Sequence, residues 1–128
     1  MPHPTDIKLH QVSRKLEITF DNGETFELPC EYLRVYSQSA EVTGHAPGQE
    51  VLQTGKQNVN IDDITPVGNY AIKLHFDDGH DTGIYTWERL YDLGKHYDNY
   101  WVDYLRRLMR AGHDHPALQA LKNQSGQR

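Results

Sequence analysis

The chain has 128 residues, 37% of them hydrophobic, and a formal net charge of −5. That length fits one domain with a modest core, and the acidic balance argues against nucleic-acid binding, which needs an electropositive footprint. A single cysteine, Cys30, excludes an intramolecular disulfide and a cysteine-rich metal site. No apolar run approaches the ~20 residues of a membrane helix, and Met1-Pro2-His3-Pro4 lacks the layout of a signal peptide. A soluble cytoplasmic protein is expected, with no membrane partner.

Met1–Asp6 reads as a short flexible lead. Ile7, Leu9 and Val12 suggest a first strand, followed by a turn at Ser13-Arg14-Lys15. Leu16, Ile18 and Phe20 alternate with Glu17 and Thr19, the period of a half-buried strand. Asn22-Gly23 favours a tight hairpin turn. Thr25–Leu28 returns as its partner, with Phe26 and Leu28 on one face. Pro29 suits a first helical turn, so Glu31–Tyr36 is predicted as a short helix presenting Leu33 and Tyr36. Ser37 and Ser39 can cap a brief turn over Ala40–Val42. Gly44–Asn58 lacks periodicity and reads as a mobile loop. Its length inside one domain hints at a functional or partner-ordered segment.

Val59, Ile61 and Ile64 mark a strand over Val59–Val67, with a turn at Pro66–Asn69. Tyr70, Ile72, Leu74 and Phe76 then alternate with Ala71, Lys73 and His75. Asp77-Asp78-Gly79 turns the chain, and Gly83–Tyr85 is the return strand. Thr86 sits where an N-cap belongs, with Glu88 in the first helical turn. Trp87, Leu90, Tyr91 and Gly94 mark one helical face, and Gly94 with Lys95-His96 ends or bends that helix. A second helix is predicted from Tyr97 to Ala111. Its stripe of Tyr97, Tyr100, Trp101, Tyr104, Leu105 and Leu108 is continuous. Gly112 stops it, and the polar tail 113–128 is expected to fray.

Two segments echo one another. Phe20-Asp21-Asn22-Gly23, Thr25, Glu31 and Leu33 match Phe76-Asp77-Asp78-Gly79, Thr82, Glu88 and Leu90, with one residue inserted after the second glycine. Both read as strand, Asp-x-Gly turn, strand and short helix.

The densest polar cluster is His75, Asp77, Asp78, His80 and Asp81. A divalent cation is one reading of it; a solvated hairpin tip with an Asx turn is the plainer one. His75-Phe76-Asp77 is formally the H-x-D of iron(II) oxygenases, with His113 or His115 as the distal histidine. Strand geometry points His75 away from Phe76, and the chain is too short for such a barrel. No nucleophile motif supports a Ser/His/Asp or Cys/His site. Cys30 beside Pro29 reads as a small buried hydrophobe. Arg106, Arg107 and Arg110 complement a helix C-terminus, or form a docking patch for an acidic partner.

The residues Leu28-Pro29, Tyr32-Leu33-Arg34, Ser37-x-Ser39-Ala40-Glu41-Val42 and Tyr70-Ala71-Ile72 carry a resemblance. So does the run Phe76-x-Asp78-Gly79-His80-x-Thr82-Gly83-Ile84-Tyr85-x-Trp87-x-x-Leu90. Over residues 7–95 the chain resembles the DUF971 class, the gamma-butyrobetaine hydroxylase-like N-terminal domains. The resemblance implies a domain that stands alone in bacteria, precedes the catalytic domain of carnitine-pathway oxygenases, or is fused to P-loop ATPases of iron–sulfur cluster assembly. It also implies, for the oxygenases, zinc held by three cysteines and one histidine. The histidine matches His80, while the cysteine positions fall at about Ser37, Ser39 and Val42. The ligand set is therefore missing, and His80 is expected to hydrogen-bond the loop after Leu33-Arg34 in place of the metal.

The sequence thus predicts an α+β domain over residues 7–112, a twisted, mostly antiparallel sheet of two hairpins packed against C-terminal helices. The expected function is a non-catalytic binding or adaptor module with a protein partner and no cofactor, in iron–sulfur cluster or metabolic enzyme assembly. Arg34, Ser37, Ser39, Asp78, His80 and Tyr85 are its expected contact surface. The alternative is a metal-binding protein or metal-dependent enzyme using the Asp77–Asp81 turn and nearby histidines.

Overall fold

The protein is described from a computed structural model that covers residues 2–37, 52–81 and 83–118. Among the described residues the strands and helices are β1 (Pro4–His10), β2 (Lys15–Phe20), β3 (Thr25–Pro29), α1 (Cys30–Val35), β4 (Ile61–Val67), β5 (Ala71–Phe76), β6 (Ile84–Thr86), α2 (Trp87–Lys95) and α3 (Tyr97–Arg110). The class is α+β, as expected. The strands form two antiparallel three-stranded sheets, ordered β1-β2-β3 and β4-β5-β6.

Alternation builds both. Leu16, Ile18, Phe20 and Leu28 point into one core together with Ile72, Leu74, Phe76 and Tyr85, and Leu33, Leu90 and Leu93 close it. Every proline in the sheets lies on an edge strand, where its missing N–H breaks no ladder: Pro4 on β1, Pro29 on β3, Pro66 on β4.

The sequence echo is a structural repeat. Each half runs strand, strand, strand, helix, and the pairing registers correspond. Pro4 faces Phe20 and Asp6 faces Thr19; Ile61 faces Phe76 and Asp63 faces His75, so a bulge falls at the same place in both. Both turns close alike. The Asp21 N–H donates to His3 O and the Asp77 N–H to Asn60 O. Each aspartate Oδ1 accepts the N–H of the same residue, at 3.3 Å and 3.0 Å. Gly23 and Gly79 both adopt φ of +89°, a conformation that favours glycine.

The halves embrace reciprocally. Asn22 Nδ2 meets Tyr91 Oη on α2 at 3.2 Å, and Asp78 Oδ2 meets Arg34 Nε on α1 at 2.9 Å. Tyr32 Oη donates to Leu93 O, and Arg89 Nη2 donates to Tyr36 O, at 2.7 Å and 2.9 Å. In repeat numbering these are the same contacts made in both directions, the signature of an approximate two-fold axis. Gln11 and Asn60 stitch the sheets: Gln11 Nε2 donates to Ile61 O, and Asn60 Nδ2 to Gln11 O.

Several expectations shift. β1 starts at Pro4, so the second half of the flexible lead is strand. Val12 lies in the β1–β2 turn and is fully exposed, and Tyr70 is a turn residue, half exposed. Thr86 caps α2 as expected, accepting the Arg89 N–H. On α2 Leu90 and Leu93 are the buried residues, and the expected Trp87 and Tyr91 pack partly buried against the same core. Of the tail expected to fray, 113–118 packs on the domain through His115 and Leu118; 119–128, Ser39, Thr82 and most of the Gly44–Asn58 loop lie outside the described residues.

Candidate functional site

The β2–β3 hairpin delivers the chain into α1, whose six residues are all buried. Arg34 leaves its last turn and Ser37 follows it. Across the two-fold, the β5–β6 hairpin brings up Asp78 and His80, and β6 supplies Tyr85. Arg34 Nε donates to Asp78 Oδ2 at 2.9 Å, and Lys56 Nζ reaches the same oxygen at 2.7 Å. Asp78 Oδ1 accepts the His80 N–H at 3.1 Å, an Asx turn. His80 Nε2 stands 3.0 Å from Ser37 Oγ, and Tyr85 Oη donates to Leu33 O at 2.5 Å.

Five of the six expected site residues therefore converge, Ser39 lying outside the described residues. They do not form a contact surface. Arg34, Ser37, His80 and Tyr85 are 5%, 1%, 3% and 1% exposed. The sequence run marks the joint between the halves, and only Asp78 keeps appreciable access to solvent. Lys56, which completes the joint, sits in the stretch read as a featureless loop, so no periodicity announced it.

Electrostatics follow from this placement. Burial works to raise the Asp78 carboxyl. The Lys56 ammonium, the His80 N–H and the Arg34 guanidinium outweigh it and hold the group at about 2, below the usual 3.8. Burial drives the Tyr85 hydroxyl upward, so it stays a neutral donor. Cys30 is wholly buried, and its thiol is pushed up to about 11, chiefly by burial. That makes it a packing residue, not a nucleophile.

The remaining chemical candidates disperse. His75 lies on the outer sheet face against Thr65, at 2.7 Å, and Asp77 is tied to Asn60. Among the described residues no group of three or more His, Cys, Asp or Glu side chains is placed to hold a metal ion. The zinc implied by the resemblance does not fit either. The ligand position His80 faces the neutral Ser37 hydroxyl, which does not replace a thiolate.

A second buried polar contact had no sequence signal. His115 Nε2 and Glu31 Oε2 lie 2.6 Å apart, with side chains 6% and 10% exposed. Trp101 and Tyr104 flank the imidazole edge-on. Burial holds the Glu31 carboxyl above its ordinary value, and the His115 contact offsets only part of that.

Comparison with known proteins decides the family. The family model for gamma-butyrobetaine hydroxylase-like N-terminal domains matches residues 7–91. The chain belongs to this family. A protein solved by NMR in solution is 58% identical, with 89% of this chain and 85% of that one covered and a TM-score of 0.77. Another NMR structure is 46% identical, covering 89% and 90%, also at 0.77. A crystal structure of a DUF971 protein of unknown function from Acidithiobacillus ferrooxidans ATCC 23270 is 39% identical, covers 72% of this chain and 92% of its own, and has a TM-score of 0.60. No match was found among curated proteins. The family run Asp78–Leu90 coincides with the joint described above. Among the described residues no helix is long and apolar enough to cross a membrane.

Proposed function

We propose that this gamma-butyrobetaine hydroxylase-like domain is a non-catalytic binding module, a cytoplasmic adaptor for a protein partner in iron–sulfur cluster or metabolic enzyme assembly. One observation carries the reading. The polar residues of the signature turn are spent on architecture: Asp77 on the Asn60 backbone, Asp78 on Arg34 and Lys56, His80 on Ser37. Such groups shape a rigid frame and have no free reacting atom to offer. Because the expected contact residues are buried, the adaptor face lies on the rim of the joint, where Lys56 and Asp78 reach solvent.

Capture from native lysate at physiological salt tests this. A reproducible, stoichiometric partner is expected. Repeated capture with no partner above a control domain would sink the adaptor reading.

A further inference from the structure

We infer that the joint between α1 and the Asp77–His80 turn is a binding site for a carboxylate, gripped by the Arg34 guanidinium and, from the rim, by the Lys56 ammonium. This deepens the binding-module reading and rests on it.

The internal two-fold supplies the comparison. In the opposite joint a carboxylate is built in. Glu24 accepts from Asn22 Nδ2 at 2.8 Å, from the Tyr91 hydroxyl, and from Lys95 Nζ at 3.1 Å. The repeat counterpart of Glu24 is His80, since each takes the hydrogen bonds that close its turn, from the Phe20 and Phe76 N–H groups respectively. His80 carries no negative charge and turns to Ser37. The counterpart of Tyr91 is Arg34, a stronger anion donor. Each joint therefore holds one carboxylate, Glu24 in one and Asp78 at the position of Asn22 in the other, but the second sets two cations against it.

The donor inventory agrees. Arg34 is 5% exposed, and its Nη1 is buried with no hydrogen-bond partner among the described residues. Buried guanidinium N–H groups are normally met, and an end-on pair of guanidinium N–H groups matches a carboxylate. Two cations, Arg34 and Lys56, share one anion, Asp78. Among these three hydrogen-bonded groups one positive charge is left over, which suits a monoanion, with Asp77 held away on the Asn60 backbone. Phosphate suits it less, because its second charge would face Asp78, and the chain as a whole is acidic. At the rim the Lys56 and Asp78 side chains are 22% and 21% exposed.

The test is a titration of the isotope-labelled full chain with sodium acetate, ionic strength held constant with chloride, read on the Arg34 Nε–H resonance and the Asp78 and His80 amides. Saturable shifts are expected. Arg34→Lys, which keeps the charge and loses the fork, is expected to weaken acetate about tenfold. Lys56→Met leaves the guanidinium seated, so it reports even if the first variant misfolds, and is expected to weaken acetate about threefold. Two uncharged peptides, one with a free C-terminus and one capped but carrying a single glutamate, then tell a chain end from an acidic side chain. Shifts no larger than those in chloride, or phosphate saturating the same resonances at lower concentration, would overturn the carboxylate site. Acetate binding without any captured partner would leave the site standing and remove the adaptor reading. A captured partner in the absence of saturable acetate shifts would do the reverse.

Discussion

The two halves of the domain share strand order, register, bulge and turn, yet they are covered differently. Every residue of α1 is buried, whereas α2 buries only Leu90 and Leu93. The difference is what lies on top. Tyr97 and Trp101 of α3 pack against Tyr32 of α1, and Leu105, Leu108 and Leu118 gather around Val35. Glu31 is consequently sealed in with His115, while its repeat counterpart Glu88 stays exposed. The repeat builds the frame, and the asymmetric additions decide which of its polar groups leave water. Function in a duplicated frame is best sought where the halves disagree.

The widest disagreement is Glu31 against Glu88. His115→Ala leaves the buried Glu31 carboxyl without its hydrogen-bond partner, and stranding a buried polar group in this way costs about 2 kcal/mol. Glu88→Ala is expected to stay within about 0.5 kcal/mol, as exposed substitutions do. Urea denaturation of both variants checks the contrast. Equal losses would mean that the covering of α1 carries no energetic weight.

The turn aspartates come next. Asp78 ionises near 2 in the folded chain against 3.8 in the ordinary state. Its stabilisation is therefore present above about pH 4 and is lost as pH falls toward 2; the full shift corresponds to roughly 2 kcal/mol. Asp78→Asn should flatten that acid limb in pH-dependent unfolding. Glu24 is also held low, first by Tyr91 and then by Lys95, but it is more exposed, and Glu24→Gln should leave the limb nearly intact. A limb that survives in Asp78→Asn would place the acid sensitivity elsewhere.

His80→Ala removes a buried hydrogen bond and leaves the Ser37 side of the joint less satisfied, at about 1.5 kcal/mol. Thermal unfolding reads it. An unchanged midpoint would end the view that this histidine braces the loop after Arg34.

Much of this frame was legible. Alternation at Leu16–Phe20 and Ile72–Phe76 is a local signal, as are the two Asp-x-Gly turns, so the repeat could be read without a structure. The pairing of His80 with Ser37 was legible only through the family run, because 43 positions separate them and nothing local links them. Lys56 was hidden in an aperiodic stretch. Glu31 and His115 are 84 positions apart; a glutamate in a helical first turn reads as solvated until something covers it. Val12 and Tyr70 failed differently. Tyr70 extends its alternation by one step into a turn, where the period no longer means burial, and Val12, three residues past Leu9, is out of phase with its strand and lies in a turn too.

The finest test of the comparison uses the two glycines at which helix and opposite hairpin touch. A Cβ on Gly94 would lie 2.5 Å from the Phe26 ring, and a Cβ on Gly83 would lie 2.5 Å from Ser37 Oγ. These are the same contact in the two halves, filled once by a ring and once by a hydroxyl. Gly94→Ala gains helix propensity of about 1 kcal/mol but forces a packed aromatic aside, a strain of about 2 kcal/mol, for a net loss of about 1 kcal/mol. Phe26→Leu in the same chain should recover part of it by vacating the contact. Gly83→Ala pushes mainly on a hydroxyl, with the Tyr85 ring next at 3.2 Å, and that hydroxyl meets His80. Its loss should therefore largely disappear in a chain already carrying His80→Ala. If the Gly83 and His80 effects add fully, helix and hairpin meet at Gly83 without reference to the histidine, and the two contacts resemble each other in shape alone.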